Sequence, residues 1–177
     1  KTCLLLNLIE KLKRDKIACA YIDLNAFPDI RSLASAFASL CAKALETNKD
    51  KRLKAFSGFQ KLRPKVDVAQ NGSLSIGLEL AVDEKDALAA LLEGMRHSDT
   101  LAAKKKKKLI VIIDEFSDLA KFNGRTVEKA LRSEIQNQSH TGYIFSGSEQ
   151  SVMLSMIRDK SRAFYKLGRI MELGPID

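Results

Sequence analysis

The stretch Leu109-Ile110-Val111-Ile112-Ile113-Asp114-Glu115 decides how this chain is read. Aliphatic residues run without polar alternation straight into two carboxylates. Such a run predicts a strand buried on both faces, as in a parallel sheet covered by helices. The two acids then stand at the strand's carboxyl end, which in open α/β sheets is the edge where ligands bind. Adjacent acids there suit magnesium coordination and activation of a water molecule. The plain alternative is a buried strand followed by a solvated acidic loop.

Upstream, Ile17 to Leu24 is another apolar run and predicts a second buried strand. It ends in Asn25-Ala26-Phe27-Pro28-Asp29, a turn with a helix-start signal. Ile30, Leu33, Ala34, Phe37, Leu40, Cys41, Ala44 and Leu45 then recur at helical spacing, enough to cover one sheet face. Asp23 ends its strand at the ligand edge, where it either serves a site or satisfies backbone groups of the turn. Between these segments and the organising strand, Asn71-Gly72 marks a hairpin inserted over residues 64–82. A three-residue loop, Gln70-Asn71-Gly72, pairs Val68 with Leu74 and Val66 with Ile76, which keeps the apolar side chains on one face. Asp83-Glu84-Lys85-Asp86 predicts an acidic helix start, followed by Leu88, Leu91, Leu92 and Met95 on one side.

The chain opens with Lys1-Thr2 before Leu5, Leu8, Ile9 and Leu12 at helical spacing. A Lys-Thr pair at the start of an apolar helix is the tail of a phosphate-binding loop, Gly-x-x-x-x-Gly-Lys-Thr. The lysine meets the β- and γ-phosphates, the threonine hydroxyl holds magnesium, and the helix amino end adds backbone N–H groups. On this reading the glycines and a first strand are expected upstream of Lys1.

Downstream, Phe116 to Ala120 predicts a short helical turn, broken at Asn123-Gly124. A helix follows with Val127, Leu131 and Ile135 inward and Glu128, Arg132 and Gln136 outward. Gly142 to Phe145 predicts a further strand, and Ser146-Gly147-Ser148 stands at its ligand edge. Small hydroxyl residues there sense a γ-phosphate or orient the attacking water. Ser146, the strand-end residue, is read as functional, while Ser148 serves equally well as a helix cap through Glu149. Residues 149–157 predict a short helix, Arg158 to Arg162 a basic exposed segment, and Arg169 to Leu173 a last strand before Gly174-Pro175.

The bulk properties set limits. The 177 residues suffice for one domain with a proper core. A chain 45% hydrophobic and 29% charged is neither disordered nor fibrous. No apolar run approaches the ~20 residues of a membrane span. Cys3, Cys19 and Cys41 are odd in number and form no Cys-x-x-Cys unit, so they are expected to be reduced core residues of a cytoplasmic protein. His97 and His140 are far apart and expected at the surface, which leaves zinc without a ligand set. The net charge of +8 permits a polyanion such as DNA as partner. The basic stretch from Lys49 to Arg63 and the lysine run Lys104–Lys108 are the local features; the latter is otherwise a solvated loop.

In order along the chain, Lys1-Thr2, Ile112-Ile113-Asp114-Glu115-Phe116, Tyr143-Ile144-Phe145-Ser146-Gly147-Ser148, and Phe164-Tyr165 followed by Leu173-Gly174-Pro175-Ile176 resemble archaeal and bacterial ATPases of the AAA+/STAND type, within the P-loop NTPases. Gln136 also looks like that family. The resemblance implies a three-layer α/β fold with a mostly parallel sheet and helices on both faces, decorated by the hairpin around residues 66–80. It implies a single nucleotide-binding domain over 1–177, lacking its first strand and glycine loop upstream and its helical lid downstream. By residue, it implies that Lys1 binds phosphate, that Thr2 and Asp114 hold Mg²⁺, that Glu115 polarises the attacking water and that Ser146 is the sensor. Pro175 falls where the chain passes toward the lid, near the adenine. Lys166-Leu167 stands where many relatives carry Gly-Arg, so Arg162 and Arg169 are the candidates for an arginine acting in trans.

The function expected is therefore an ATP-binding, magnesium-dependent ATPase core that switches an assembly, with a homo-oligomer or a protein effector as partner and no membrane. Two other classes stay open: a DNA-associated module in which the ATPase site is secondary, and a nucleotide-binding scaffold without useful turnover.

Overall fold

The computed structural model describes residues 2–46 and 86–174, together with the backbones of two strands at 62–68 and 74–80. Helix α1 (Thr2–Arg14) leads into strand β1 (Ala18–Asp23) and a 3-10 turn at Leu24–Ala26. Helix α2 (Ile30–Leu45) follows, then β2 (Leu62–Val68), β3 (Leu74–Leu80) and helix α3 (Ala87–Lys104). The organising stretch is β4 (Leu109–Asp114), followed by a 3-10 helix (Phe116–Phe122), helix α4 (Gly124–Gln136), β5 (Thr141–Phe145) and helix α5 (Gln150–Arg158).

The sheet has the order β1-β4-β5 and is parallel throughout. β4 is its centre, as a run buried on both faces requires: Leu109, Val111 and Ile112 are fully enclosed. Ala18, Ala20 and Ile22 of β1 face the same way as Leu109, Val111 and Ile113; α2 packs over them, and α3 packs against α2 and β5. Helix α1 lies against β1. The register aligns Asp23 with Asp114, so both acids reach the same edge. The sheet is three-stranded among the described residues, with helices around it as the sequence predicts.

Helix α2 begins where Asp29 accepts the Ser32 N–H at 2.7 Å, which satisfies one of the orphan donors of the first turn. Its seam with α3 is built from small residues: Ala34, Ala38 and Ala42 against Ala87, Ala90 and Gly94. A Cβ at Gly94 would sit 3.5 Å from the Ala38 Cβ, an ordinary contact. Gly94→Ala is therefore expected to stabilise the protein by about 0.5–1 kcal/mol, the helix-interior cost of glycine relative to alanine. A urea titration checks this; a loss of stability would show the seam to be tighter than the spacing indicates.

Strands β2 and β3 pair antiparallel with Val68 opposite Leu74 and Val66 opposite Ile76, the register the apolar face predicts. The loop residues between them and the acidic stretch 83–85 lie outside the described residues.

Four sequence expectations are corrected. Arg169 to Leu173 is not a strand: it is irregular, with Met171 at 78% exposure and Leu173 at 51%. A strand exists only against a hydrogen-bonded neighbour, and this segment has none among the described residues. Glu128 and Arg132 do not face solvent. Glu128 is 2% exposed and binds Arg162, with Arg162 Nε donating at 3.0 Å, while Arg132 donates to the carbonyls of Ala163 and Tyr165. Hence Arg162, expected in an exposed segment, is anchored to the core. The lysine run is the solvated loop expected for most of its length: after Lys104 ends α3, Lys106, Lys107 and Lys108 are exposed outside helix and strand, while Lys105 binds Glu46, Lys107 reaches the Leu45 carbonyl and Lys108 donates to the Ser139 carbonyl at 2.8 Å. Of the cysteines Cys41 is a core residue, its thiol pushed up to about 12 by burial, whereas Cys3 is exposed.

Candidate nucleotide site at the carboxyl edge of the sheet

Asp114 is the last residue of β4 and is 4% exposed. Two groups hold its carboxylate. The Tyr21 hydroxyl, from the neighbouring strand, donates to Oδ2 at 2.9 Å, and the Glu115 N–H donates to Oδ1 at 3.0 Å. Tyr21 lies opposite Ile112, one step below Asp114 on the same side of the sheet, which is why it reaches. Desolvation, then the bond to Asp114, pushes the Tyr21 hydroxyl up to about 12. The neutral phenol is therefore favoured by the fold. Its contribution is complete below the ordinary tyrosine value near 10 and is lost as pH rises from there through about 12. Tyr21→Phe is expected to flatten the alkaline decline in Tm between those limits. An unchanged profile would mean that Tyr21 is not the group responsible.

Glu115 follows with φ 49° and ψ 43°, in the left-handed region. A non-glycine residue there costs on the order of 1 kcal/mol or more, and such conformations cluster at functional sites. The bend turns the chain into the 3-10 helix and leaves the Glu115 side chain half-buried at the strand edge. Its Oε2 accepts two bonds from Ser148, from the hydroxyl at 2.6 Å and from the N–H at 3.1 Å. Oε1 is left open.

The serine loop is tied to β4 by backbone. The Ser146 N–H donates to the Ile113 carbonyl at 2.9 Å, and the Phe116 N–H donates to the Ser146 carbonyl at 2.7 Å. The Ser146 hydroxyl has no hydrogen-bond partner among the described residues. A Cβ at Gly147 would come within 2.8 Å of the Met153 side chain, so the loop lies close on α5 at this point. Ser148 does not cap that helix: the cap position is Glu149, without a side-chain bond, and Ser148 is turned to Glu115 instead. Asp23 accepts the Asn25 N–H at 3.0 Å, the turn role rather than a ligand role.

Beneath the acids, Phe116, Phe145 and Phe164 form an aromatic cluster, with centroids 4.2, 5.3 and 5.5 Å apart. Phe116 follows Glu115 and Phe145 precedes Ser146, so the cluster locks the two strand ends together. Phe164 brings the segment after α5 into the same packing, and Arg162 and Arg132 fasten that segment to α4.

The expected site residues thus fall in different places. Asp114, Glu115 and Ser146 meet at one edge. Thr2 is the first residue of α1 and exposed. Helix α1 reverses into β1 through Asp15–Ile17 and packs against it. Lys1 and Pro175 lie outside the described residues. Arg162 is bound to Glu128, and Arg169 is exposed. Tyr21 and Ser148 are partners that the sequence reading did not assign to the acids. Ser148 was visible as a strand-edge hydroxyl, whereas Tyr21 depended on the β1–β4 register.

No protein-family model matches the chain, and no curated protein matches it either. Among solved structures it is similar to the Walker-type ATPase PABY2304 of Pyrococcus abyssi, with a TM-score of 0.52 and 14% identity over 88% of this chain. The match covers 41% of that protein, so the chain spans about two fifths of its length. Among the described residues no helix is long and apolar enough to cross a membrane. Parallel sheet, flanking helices and structural neighbour agree: the chain has the α/β fold of the P-loop NTPases, in the form carried by a Walker-type ATPase.

Proposed function

We propose that this chain is the ATP-binding, magnesium-dependent ATPase core of a cytoplasmic, nucleotide-driven switch or assembly module of AAA+/STAND type. The observation that carries the reading is the pair of acids at the end of β4: Asp114 buried and held by Tyr21, Glu115 left-handed and held by Ser148.

The donor chemistry fits a small hard cation. A carboxylate offers about four lone-pair positions. Tyr21 and the Glu115 N–H occupy two at Asp114, which leaves room for the water shell of a magnesium ion. The described residues contain no group of three or more His, Cys, Asp or Glu side chains suited to a metal. Magnesium in nucleotide sites is held by one or two carboxylates together with waters and substrate phosphates, and needs no such cage. Thr2 and Asp114 are the residues that would hold it, and the ion would supply charge neutralisation for the transferring phosphate.

The chain's own residues do the rest. Lys1 binds the phosphates and the amino end of α1 adds N–H donors. Glu115 orients and polarises the attacking water through Oε1, while Ser148 fixes the carboxylate through Oε2. The Ser146 hydroxyl reads the γ-phosphate, and Pro175 lies near the adenine. Arg169 is the arginine free to act in trans on a second copy, because Arg162 is committed to Glu128.

Phosphate release with and without Mg²⁺, from the protein expressed in its natural reading frame, tests the proposal. Magnesium-dependent release is expected, and Lys1→Ala is expected to lose ATP affinity. ATP binding unaffected by Lys1→Ala would sink the binding claim. Binding without release would leave the scaffold reading and remove hydrolysis.

A further inference from the structure

The opposite end of the sheet carries a different chemistry. Helices α1, α2 and α3 end there, and each has basic residues in its last turn: Lys11, Lys13 and Arg14, then Lys43, then Lys104. Two of the turns that follow put lysine in the left-handed region, Lys16 at φ 57° and Lys106 at φ 54°. Both close their helices in the same way, with Ile17 N–H donating to the Leu12 carbonyl at 2.9 Å and Lys107 N–H to the Ala102 carbonyl at 3.0 Å. Glycine is the usual residue at that position, so a lysine there keeps a charge at a conformational cost. The turns are neighbours, because they enter β1 and β4 with Ala18 opposite Leu109 and adjacent strands are ~4.8 Å apart.

Most of the charge on this face has no ion-pair partner among the described residues: Lys11, Arg14, Lys16, Lys43, Lys104 and Lys106 are exposed and have none. The nearby acids are engaged: Glu10 with Lys13, Glu46 with Lys105, and Asp99 with the N–H groups of Ser139 and His140. Asp15 is the carboxylate left over. Helix dipoles favour a cation at each carboxyl end, but the closing bonds already satisfy the last carbonyls of α1 and α3.

We propose that this face, formed by the turns before β1 and β4, docks the phosphate backbone of duplex DNA. Its composition selects that partner. Among the described residues the exposed large apolar side chains, Leu4, Leu6, Ile170, Met171 and Leu173, all lie outside these turns, so the turns themselves offer no wedge for a lipid layer. Residues 11–16 and 104–108 contain no aromatic side chain on which an unpaired base could stack. What remains is a row of cations suited to phosphates and indifferent to sequence. The face lies across the sheet from Asp114 and Glu115, and the proposal does not depend on nucleotide turnover.

Fluorescence anisotropy with a labelled duplex, titrated against salt, is the test. Each phosphate contacted contributes a slope of about −0.9 to log K against log salt. The variant Lys16→Gly/Lys106→Gly removes two charges while placing glycine where the backbone favours it, so it is expected to fold with an equal or higher Tm. Its slope should be flatter than wild type by about 1.8. Absence of binding at about 50 mM salt overturns the proposal, as does an unaltered slope in the folded variant. Tighter binding to phosphatidylserine vesicles than to the duplex, with the same loss in the variant, overturns DNA as the partner.

Discussion

Glu115→Gln is expected to lower ATP turnover by about 10²–10⁴-fold, the usual worth of a positioned general base, with ATP affinity unchanged. The substitution separates chemistry from architecture. Glutamine keeps an acceptor oxygen for Ser148, so the left-handed turn and the loop it touches are retained. What disappears is the ionised carboxylate. Ser148→Ala makes the matching test from the other side. It removes the 2.6 Å hydroxyl bond but leaves the N–H contact. A hydrogen bond to a charged group is worth about 1.5 kcal/mol, so a roughly tenfold fall in turnover is expected. Ser148→Thr should restore it. Turnover raised by Ser148→Ala would mean instead that the serine holds Glu115 away from its work.

Arg162→Ala is expected to destabilise the fold by about 3–5 kcal/mol, because it leaves Glu128 charged and unpartnered in the core. Glu128 is 2% exposed, and Arg162 meets it through both Nε and a terminal nitrogen. For a chain of this size the loss corresponds to a fall in Tm of roughly 6–20 °C. Replacing both partners by methionine should recover most of it, since a buried ion pair exchanged for apolar side chains is often neutral. The variant also assigns the arginine. A residue that acted only in trans on nucleotide would leave Tm unaltered and lower turnover alone. Strong loss of Tm, recovered in the double variant, marks Arg162 as the clamp that holds Phe164 under the strand ends.

The candidate site and its scaffold were unequally legible in the sequence. Val111 and its neighbours announced a buried parallel strand because a strand covered on both faces has no reason to alternate. The hairpin register followed from keeping Val66, Val68, Leu74 and Ile76 on one face. The stripe from Ile30 to Leu45 was equally plain. Glu128 was misread because helical spacing shows only that a polar residue leaves the local apolar stripe. Whether it meets water or an arginine 34 residues away is a tertiary fact. The Tyr21–Asp114 bond spans 93 positions and depends on a parallel register that no turn encodes. Residues 169–173 have the composition of a strand, but a strand also needs a neighbour, which composition does not supply.

These results divide the sheet into two working ends. At the carboxyl edge, buried aromatic rings and backbone bonds hold Asp114, Glu115 and Ser146 in fixed relation. At the amino edge, exposed lysines in left-handed turns have no ion-pair partner among the described residues. The first end carries the proposed nucleotide chemistry and the second the proposed docking of a polyanion.

The most direct measurement is an NMR titration of the isotopically labelled protein with a non-hydrolysable ATP analogue and Mg²⁺. The amide resonances of Thr2, Glu115, Phe116 and Ser146 to Ser148 are expected to move together and saturate, while those of Lys16 and Lys106 stay in place. An absence of shifts at saturating analogue, or shifts confined to residues away from the ends of β4 and β5, would contradict the proposed site.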